Sequence, residues 1–304
     1  MQILYAISRK DDSSLASAEK ELFFSLQKAY DLYHLMLLIP VELRKVNELK
    51  VEVARQKLRP TYEDLHPNMR FINNRLIELL RNNKQLLRYI NENKIGWAGY
   101  SEIFRPLFNR IEQQTYFKDY LSKETVTFKD DVKVVTDILE QEVPQWTDLE
   151  AVLEEMSIFW NDDVNFVLGM ALKTIKGMKE SDTAEKPLLP MYKTEEDIDF
   201  ARKLLRKAML NRDEYYELIQ KHSKNWEFER IALMDLLIMQ LALAEIIEFQ
   251  TIPVKVSLNE YIELAKIYST ENSNNFINGV LDHIVKELMA QNKIVKVGKG
   301  LIET

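Results

Sequence analysis

No cysteine occurs among the 304 residues, so disulfides, thiolate metal sites and cysteine nucleophiles are excluded and the redox compartment stays open. Glycine is scarce, at seven. Folds built from strands need many turns with positive φ, so this shortage favours an all-α chain. There is no excess of positive charge: 41 Lys and Arg stand against 48 Asp and Glu, for a net charge of −7. A protein that binds RNA alone is usually basic, because affinity comes largely from neutralising phosphates. Any RNA surface here is therefore local or completed by a partner. No basic flank precedes a long apolar core at the N-terminus, so no signal peptide is read and the chain is expected in the cytoplasm. Repeats and low-complexity tracts are also missing.

What is present is helical periodicity. Leu22, Phe23, Leu26, Tyr30, Tyr33 and Leu37 share one side of a helix predicted over 14–39. Pro40 is expected to interrupt it, with a second helix over 41–58. Pro60 and His66-Pro67 bracket a turn. Further helices are expected over 68–80, 84–94, 101–121, 127–142, 148–159 and 162–178, the 148–159 helix opened by a capping box of Thr147 and Glu150. Segment 180–193, with Pro187 and Pro190, reads as a linker. Helix 195–209 begins acidic and ends basic, which complements its dipole.

The C-terminal part carries the strongest pattern. Over 226–249 apolar residues cover nearly every helical angle, the mark of a core helix. Glu227, Glu229, Arg230, Asp235, Gln240, Glu245 and Glu248 argue against a membrane span, because ionised groups in lipid cost several kcal/mol each. Pro253 stops that helix, and Ser257 with Glu260 reads as a capping box opening the next. Ser269 to Ser273 is a polar loop. Phe276, Ile277, Val280, Leu281, Ile284, Val285 and Leu288 then form one apolar stripe.

Catalytic and metal patterns are thin. Glu63-x-x-His66 and Asp31-x-x-His34 have the spacing of ligands in a helical-bundle dimetal site, but the full set needs more carboxylates and Pro67 disfavours helix at His66. His222 and His283 read as isolated surface residues. Arg81, Lys84 and Arg88 line one face of a helix and read as a solvated face rather than a second RNA surface.

Several of these residues fall into a family pattern. Gln2-Ile-Leu-Tyr5, Asp197-Ile-Asp-Phe-Ala-Arg202, Trp226, Arg230, Asp235, Leu241 and Glu245, then Pro253, Asn259-Glu260, Leu264-Ala-Lys266, Phe276 and Asn278-Gly-Val-Leu281, resemble the NusB family, small helical RNA-binding proteins of bacterial transcription antitermination. The resemblance covers about 1–25 and 195–290. It departs in two ways: a long segment separates the first and second family helices, and the family's arginine-rich N-terminal stretch is missing.

The resemblance implies an all-α fold of NusB-like helical bundles with a large helical insertion. Its parts are the first helices at 1–30, the insertion at 31–190, a C-terminal helical domain at 191–291 and a tail at 292–304. It implies a non-catalytic factor without cofactor or metal. With a NusE-type small-subunit ribosomal protein, such a factor binds single-stranded boxA RNA of nascent ribosomal RNA within the RNA polymerase antitermination complex, away from membranes. By position, Gln2, Tyr5, Gln240, Tyr268, Asn272, Asn275 and Phe276 are implied near RNA, and Tyr5, Asp235 and Glu245 near the partner protein. Tyr268 and Phe276 also fit core packing, Asn278-Gly279 fits close helix packing, and Asn259-Glu260 fits a helix start. Two other readings stay open: a protein-docking scaffold with weakened RNA binding, and an RNA-modifying or carboxylate-metal enzyme. Against the enzyme, no G-x-G-x-x-G loop occurs, and Gly298-Lys-Gly300 is too short a match.

One consequence is direct. Leu237→Asp places an unpaired charge at an expected core position and should destabilise by at least about 3 kcal/mol. A thermal melt with an unchanged midpoint would remove the central helix from the core.

Overall fold

The computed structural model describes residues 1–9, 14–223 and 228–302. Among them are fifteen α-helices and no strand. Trp226 and Glu227, assigned to the central helix above, lie outside the described residues. The chain divides into two units, one of residues 1–23 with 192–304 and one of residues 24–191. The long helix Leu15–Arg55 belongs to both. No helix among the described residues is long and apolar enough to cross a membrane.

In the first unit the helices Gln2–Ser8, Glu195–Leu210, Arg212–His222, Val254–Tyr268 and Ser273–Ala290 pack on the central helix Leu233–Glu248. That helix is shorter than the apolar run suggested. Ala232 is extended (ψ 137°) and its carbonyl accepts from Leu236 N at 3.1 Å, so the helix begins there, after a short 3-10 turn at Phe228–Arg230. Leu237, Ile238, Met239, Leu241, Leu243 and Ile246 are all buried, which is why the helix is apolar all round. The tail is held too: Val297 N donates to Gln250 O at 2.9 Å, and Gly300 lies so close to Gln250 O that a Cβ would fall 2.0 Å from it.

The second unit is built around Leu15–Arg55. Pro40 does not interrupt this helix. A proline inside a helix costs on the order of 3 kcal/mol. Ile39, Val41 and Leu43 flank it fully or nearly buried, and each such side chain stabilises by about 1.5–3 kcal/mol, so packing outweighs the lost hydrogen bond. The helix expected over 68–80 begins only at Arg75, because buried Asn74 caps it: its Oδ1 accepts from Ile77 N at 3.0 Å and its Nδ2 donates to Asp131 O at 3.1 Å. Asn83 caps Lys84–Asn93 in the same way. The 101–121 helix is split into Phe104–Ile111 and Thr115–Ser122. Tight bonds from Gln113 N and Gln114 N turn the chain, so that the Phe108 and Phe117 rings meet edge-on at 5.9 Å.

Two predicted capping boxes are absent. Thr147 is the first residue of Thr147–Met156, and the cap position falls on Trp146 with no side-chain bond. Ser257 lies inside Val254–Tyr268, behind Pro253, because its hydroxyl is used elsewhere. The 180–193 segment is more than a linker, since Leu188 is buried in the second unit's core. Gly279 is exposed, and a Cβ there would meet nothing within 4 Å, so close packing is not its role. His222 is not isolated: its Nε2 lies 2.8 Å from Glu287.

His34 is fully buried, stacked on Tyr89 at 3.6 Å, with Nδ1 2.8 Å from Tyr30 O and Nε2 without a partner. Neighbouring Asp31 accepts from Lys28 and from Tyr89. Burial lowers the imidazole pKa from 6.5 to about 4. The unfolded chain therefore binds this proton first as pH falls. The stability that neutral His34 contributes is complete above pH 6.5 and is lost progressively down to about pH 4, by roughly 3 kcal/mol. His34→Phe keeps the stacking and removes the titration. Urea unfolding between pH 7 and 4 should show a shallower fall for this variant than for the native chain; parallel profiles would contradict the assignment.

Candidate nucleic-acid interface

Three buried polar residues interrupt the apolar central helix, and each reaches a different neighbour. Asp235, 5% exposed, is met by the loop between Val254–Tyr268 and Ser273–Ala290. Ser269 Oγ donates to its Oδ1, and Ser273 Oγ donates to its Oδ2 at 3.0 Å. With both protons so used, Thr270 Oγ1 donates to Ser273 Oγ at 2.7 Å. Ser273 is the first residue of the last helix, so the carboxylate also sits at that helix's positive end.

Gln240, 2% exposed, donates from Nε2 to Ala208 O at 2.6 Å. This carbonyl lies in the last turn of Glu195–Leu210, where main-chain acceptors lack intrahelical partners. Glu245, 7% exposed, accepts from Ser257 Oγ at 2.6 Å and from Tyr261 Oη at 2.9 Å. Burial and the facing carboxylate push the Tyr261 hydroxyl pKa up, so it stays a donor.

The resemblance placed these three residues at RNA or partner surfaces. In this structure their polar atoms face inward, because each satisfies buried groups of an adjacent helix or loop. The remaining candidates divide into two sets. Tyr268, Asn272, Asn275 and Phe276 lie on the loop that Asp235 ties down and on the helix ends beside it. Asn272 takes the cap position of the last helix, but its side chain makes no cap bond and is exposed. Asn275 is exposed as well. Tyr268 and Phe276 are half-buried, Phe276 against the core. The second set is Gln2 and Tyr5, three apart on the outer face of Gln2–Ser8, whose Ile3 and Leu4 are buried. Tyr5 is 39% exposed, and the Arg9 guanidinium lies over its ring at 5.4 Å.

Sequence reasoning missed the Ser269, Ser273, Ser257 and Tyr261 partners and the Arg9–Tyr5 contact. The available signal was the isolation of Asp235 and Glu245 on an otherwise apolar helix, since buried carboxylates require donors. Arg81 and Lys84 pair with Glu48 and Glu185, which fits a solvated face. No group of three or more His, Asp or Glu among the described residues is arranged to hold a metal ion.

A family model described as NusB family matches residues 167–286. A protein named Transcription antitermination protein NusB from Salinibacter ruber is 39% identical over 137 residues, covering 43% of this chain and 86% of that protein. Proteins of the same name from Chloroherpeton thalassium and Alkaliphilus oremlandii are 39% and 42% identical, over 34% and 31% of this chain and 50% and 67% of their own. No solved structure matches.

Asp235→Ala should leave Ser269 and Ser273 without their acceptor and untie the loop. The expected cost is about 2–4 kcal/mol, with amide exchange at 269–274 accelerated more than elsewhere in the unit. Uniform acceleration across the unit would show that Asp235 stabilises globally and does not hold this loop.

Proposed function

The chain belongs to the NusB family, and we propose that it is a non-catalytic transcription antitermination factor that binds single-stranded boxA-type RNA together with a NusE-type small-subunit ribosomal protein. In this reading residues 1–30 and 191–291 form the family domain, 31–190 is a helical insertion, and the protein works in the cytoplasm on nascent ribosomal RNA bound to the polymerase complex.

One observation carries the RNA assignment: the loop clamped by Asp235 leads into exposed Asn272 and Asn275, with half-buried Tyr268 and Phe276 on the helix ends that flank it. Single-stranded RNA is recognised through base edges, which amides can read, and through stacking on aromatic rings. A loop already ordered loses less entropy on binding than a mobile one. Tyr5, with Arg9 over its ring, supplies a further ring and a positive charge. The net charge of −7 limits what the chain does alone, which is the reason to place a basic partner in the complex.

The test is a titration of boxA-type RNA with and without a NusE-type protein, on the native chain and on an Asn272→Ala, Asn275→Ala double variant. The partner should raise affinity at least tenfold. The double variant should lose about 1–3 kcal/mol of binding with an unchanged melting point, because both side chains are exposed. Equal affinity with and without the partner would overturn the joint reading. Native affinity in the double variant would move RNA recognition to Gln2, Tyr5 and Tyr268.

A further inference from the structure

Residues 134–172 hold nine Asp and Glu and no Lys, Arg or His. Three of the nine find cations outside that stretch: Asp137 pairs with Lys133, Glu140 with Lys176 and Glu142 with Arg110. Glu150 and Glu154 form no ion pair among the described residues. Both are exposed, and they stand four apart on one side of the helix Thr147–Met156, where like charges repel.

These two carboxylates line a cleft of about 260 Å³ formed within residues 143–165, and no basic side chain lines it with them. Trp146 and Trp160, 4% and 2% exposed, line it as well. The Trp146 ring is held edge-on against Phe104 at 5.2 Å. The two indole N–H groups differ. Trp160 Nε1 donates to Lys28 O at 2.6 Å, whereas Trp146 Nε1 is buried and has no acceptor. Buried donors in native proteins are nearly always paired, so an unmet one in the wall of a cleft points to an acceptor that a ligand brings. Acids alone make a solvated face. A concave site that joins two uncompensated carboxylates, two indoles and an unmet donor has the features of a ligand pocket.

Charge selects a cation for this pocket. The indoles favour a guanidinium, which stacks on aromatic faces and carries its donors in one plane, enough to serve both carboxylates. The unmet N–H calls for an acceptor beside that cation, which a peptide carbonyl supplies and a polyamine lacks. The volume admits one long side chain with its peptide group and excludes a helix. We propose that this cleft binds an extended segment of a partner protein through one arginine, the guanidinium meeting Glu150 and Glu154 and a main-chain carbonyl accepting from Trp146 Nε1. The cleft lies wholly within the second unit and is independent of the RNA reading of the first.

The experiment uses the full chain and a dye-labelled, end-capped peptide of small neutral residues around one central arginine. The control peptide carries citrulline there, which has the same shape without the charge. In fluorescence anisotropy the arginine peptide should bind, more tightly at low salt, and the citrulline peptide about tenfold more weakly. Glu150→Gln with Glu154→Gln should also weaken binding about tenfold. Both side chains are exposed, so circular dichroism and the melting point should not fall. Asp148→Asn with Glu155→Gln removes the same charge from the same helix outside the cleft and should leave affinity nearly unchanged. With indole nitrogens labelled, the Trp146 N–H resonance should move on binding and that of Trp97, already bonded to Leu35 O, should not. Absence of binding, equal binding of the two peptides, or equal loss in the two double variants would overturn the proposal, the last by showing unspecific attraction to an acidic surface. A stationary Trp146 resonance would overturn it too. Spermidine that binds at least as tightly as the arginine peptide and displaces it would assign the cleft to a free polyamine instead.

Discussion

The Asp235 carboxylate, almost fully buried, requires hydrogen-bond donors, and the hydroxyls of Ser269 and Ser273 supply them. Much of the first unit's exposed loop chemistry depends on that requirement. The two serines bracket a short polar loop, so drawing both to one carboxylate fixes the loop's path. It also sets where the last helix begins and which side chains remain outside. Asn272 is left uncommitted at the helix cap, and Asn275 follows one turn in.

Gln240 and Glu245 extend the same logic along the central helix. An apolar surface alone tolerates sliding of one helix against another, because hydrophobic contacts are weakly directional. A buried hydrogen bond does not tolerate it, since a slip leaves both groups unpaired at a cost of about 1–3 kcal/mol each. Gln240 fixes the end of Glu195–Leu210, and Glu245 fixes Val254–Tyr268 through Ser257 and Tyr261. Three polar positions therefore give three neighbours a defined register against one greasy rod.

The second unit reaches its order by other means. Its core is rich in aromatic rings, with Phe71, Phe104, Phe108, Phe117, Trp97 and Trp146 buried together, and Trp97 Nε1 donates to Leu35 O at 3.0 Å on the long helix. Buried carboxylates again recruit donors: Asp131 takes Arg75 and Tyr120, and Glu142 takes Arg110 and Tyr116. Where that core ends, the long helix continues with Leu49 and Val53 exposed.

The all-α class, the buried character of the central helix and the stripe from Phe276 to Leu288 were legible in the residues, because periodicity and glycine content act locally. So was the family pattern of the C-terminal part. What sequence alone misjudged depended on distant partners. Pro40 looked like a break, but burial of Ile39, Val41 and Leu43 carries the helix through it. Ser257 had the spacing of a cap, but a carboxylate twelve residues earlier in the chain claims its hydroxyl. Asp235, Gln240 and Glu245 stood where a ligand was expected, yet only the packed helices show that their polar atoms point inward. A residue's type and spacing determine which element it joins. Which way its polar group faces is decided by the donors and acceptors that folding brings to it, and those come from anywhere in the chain.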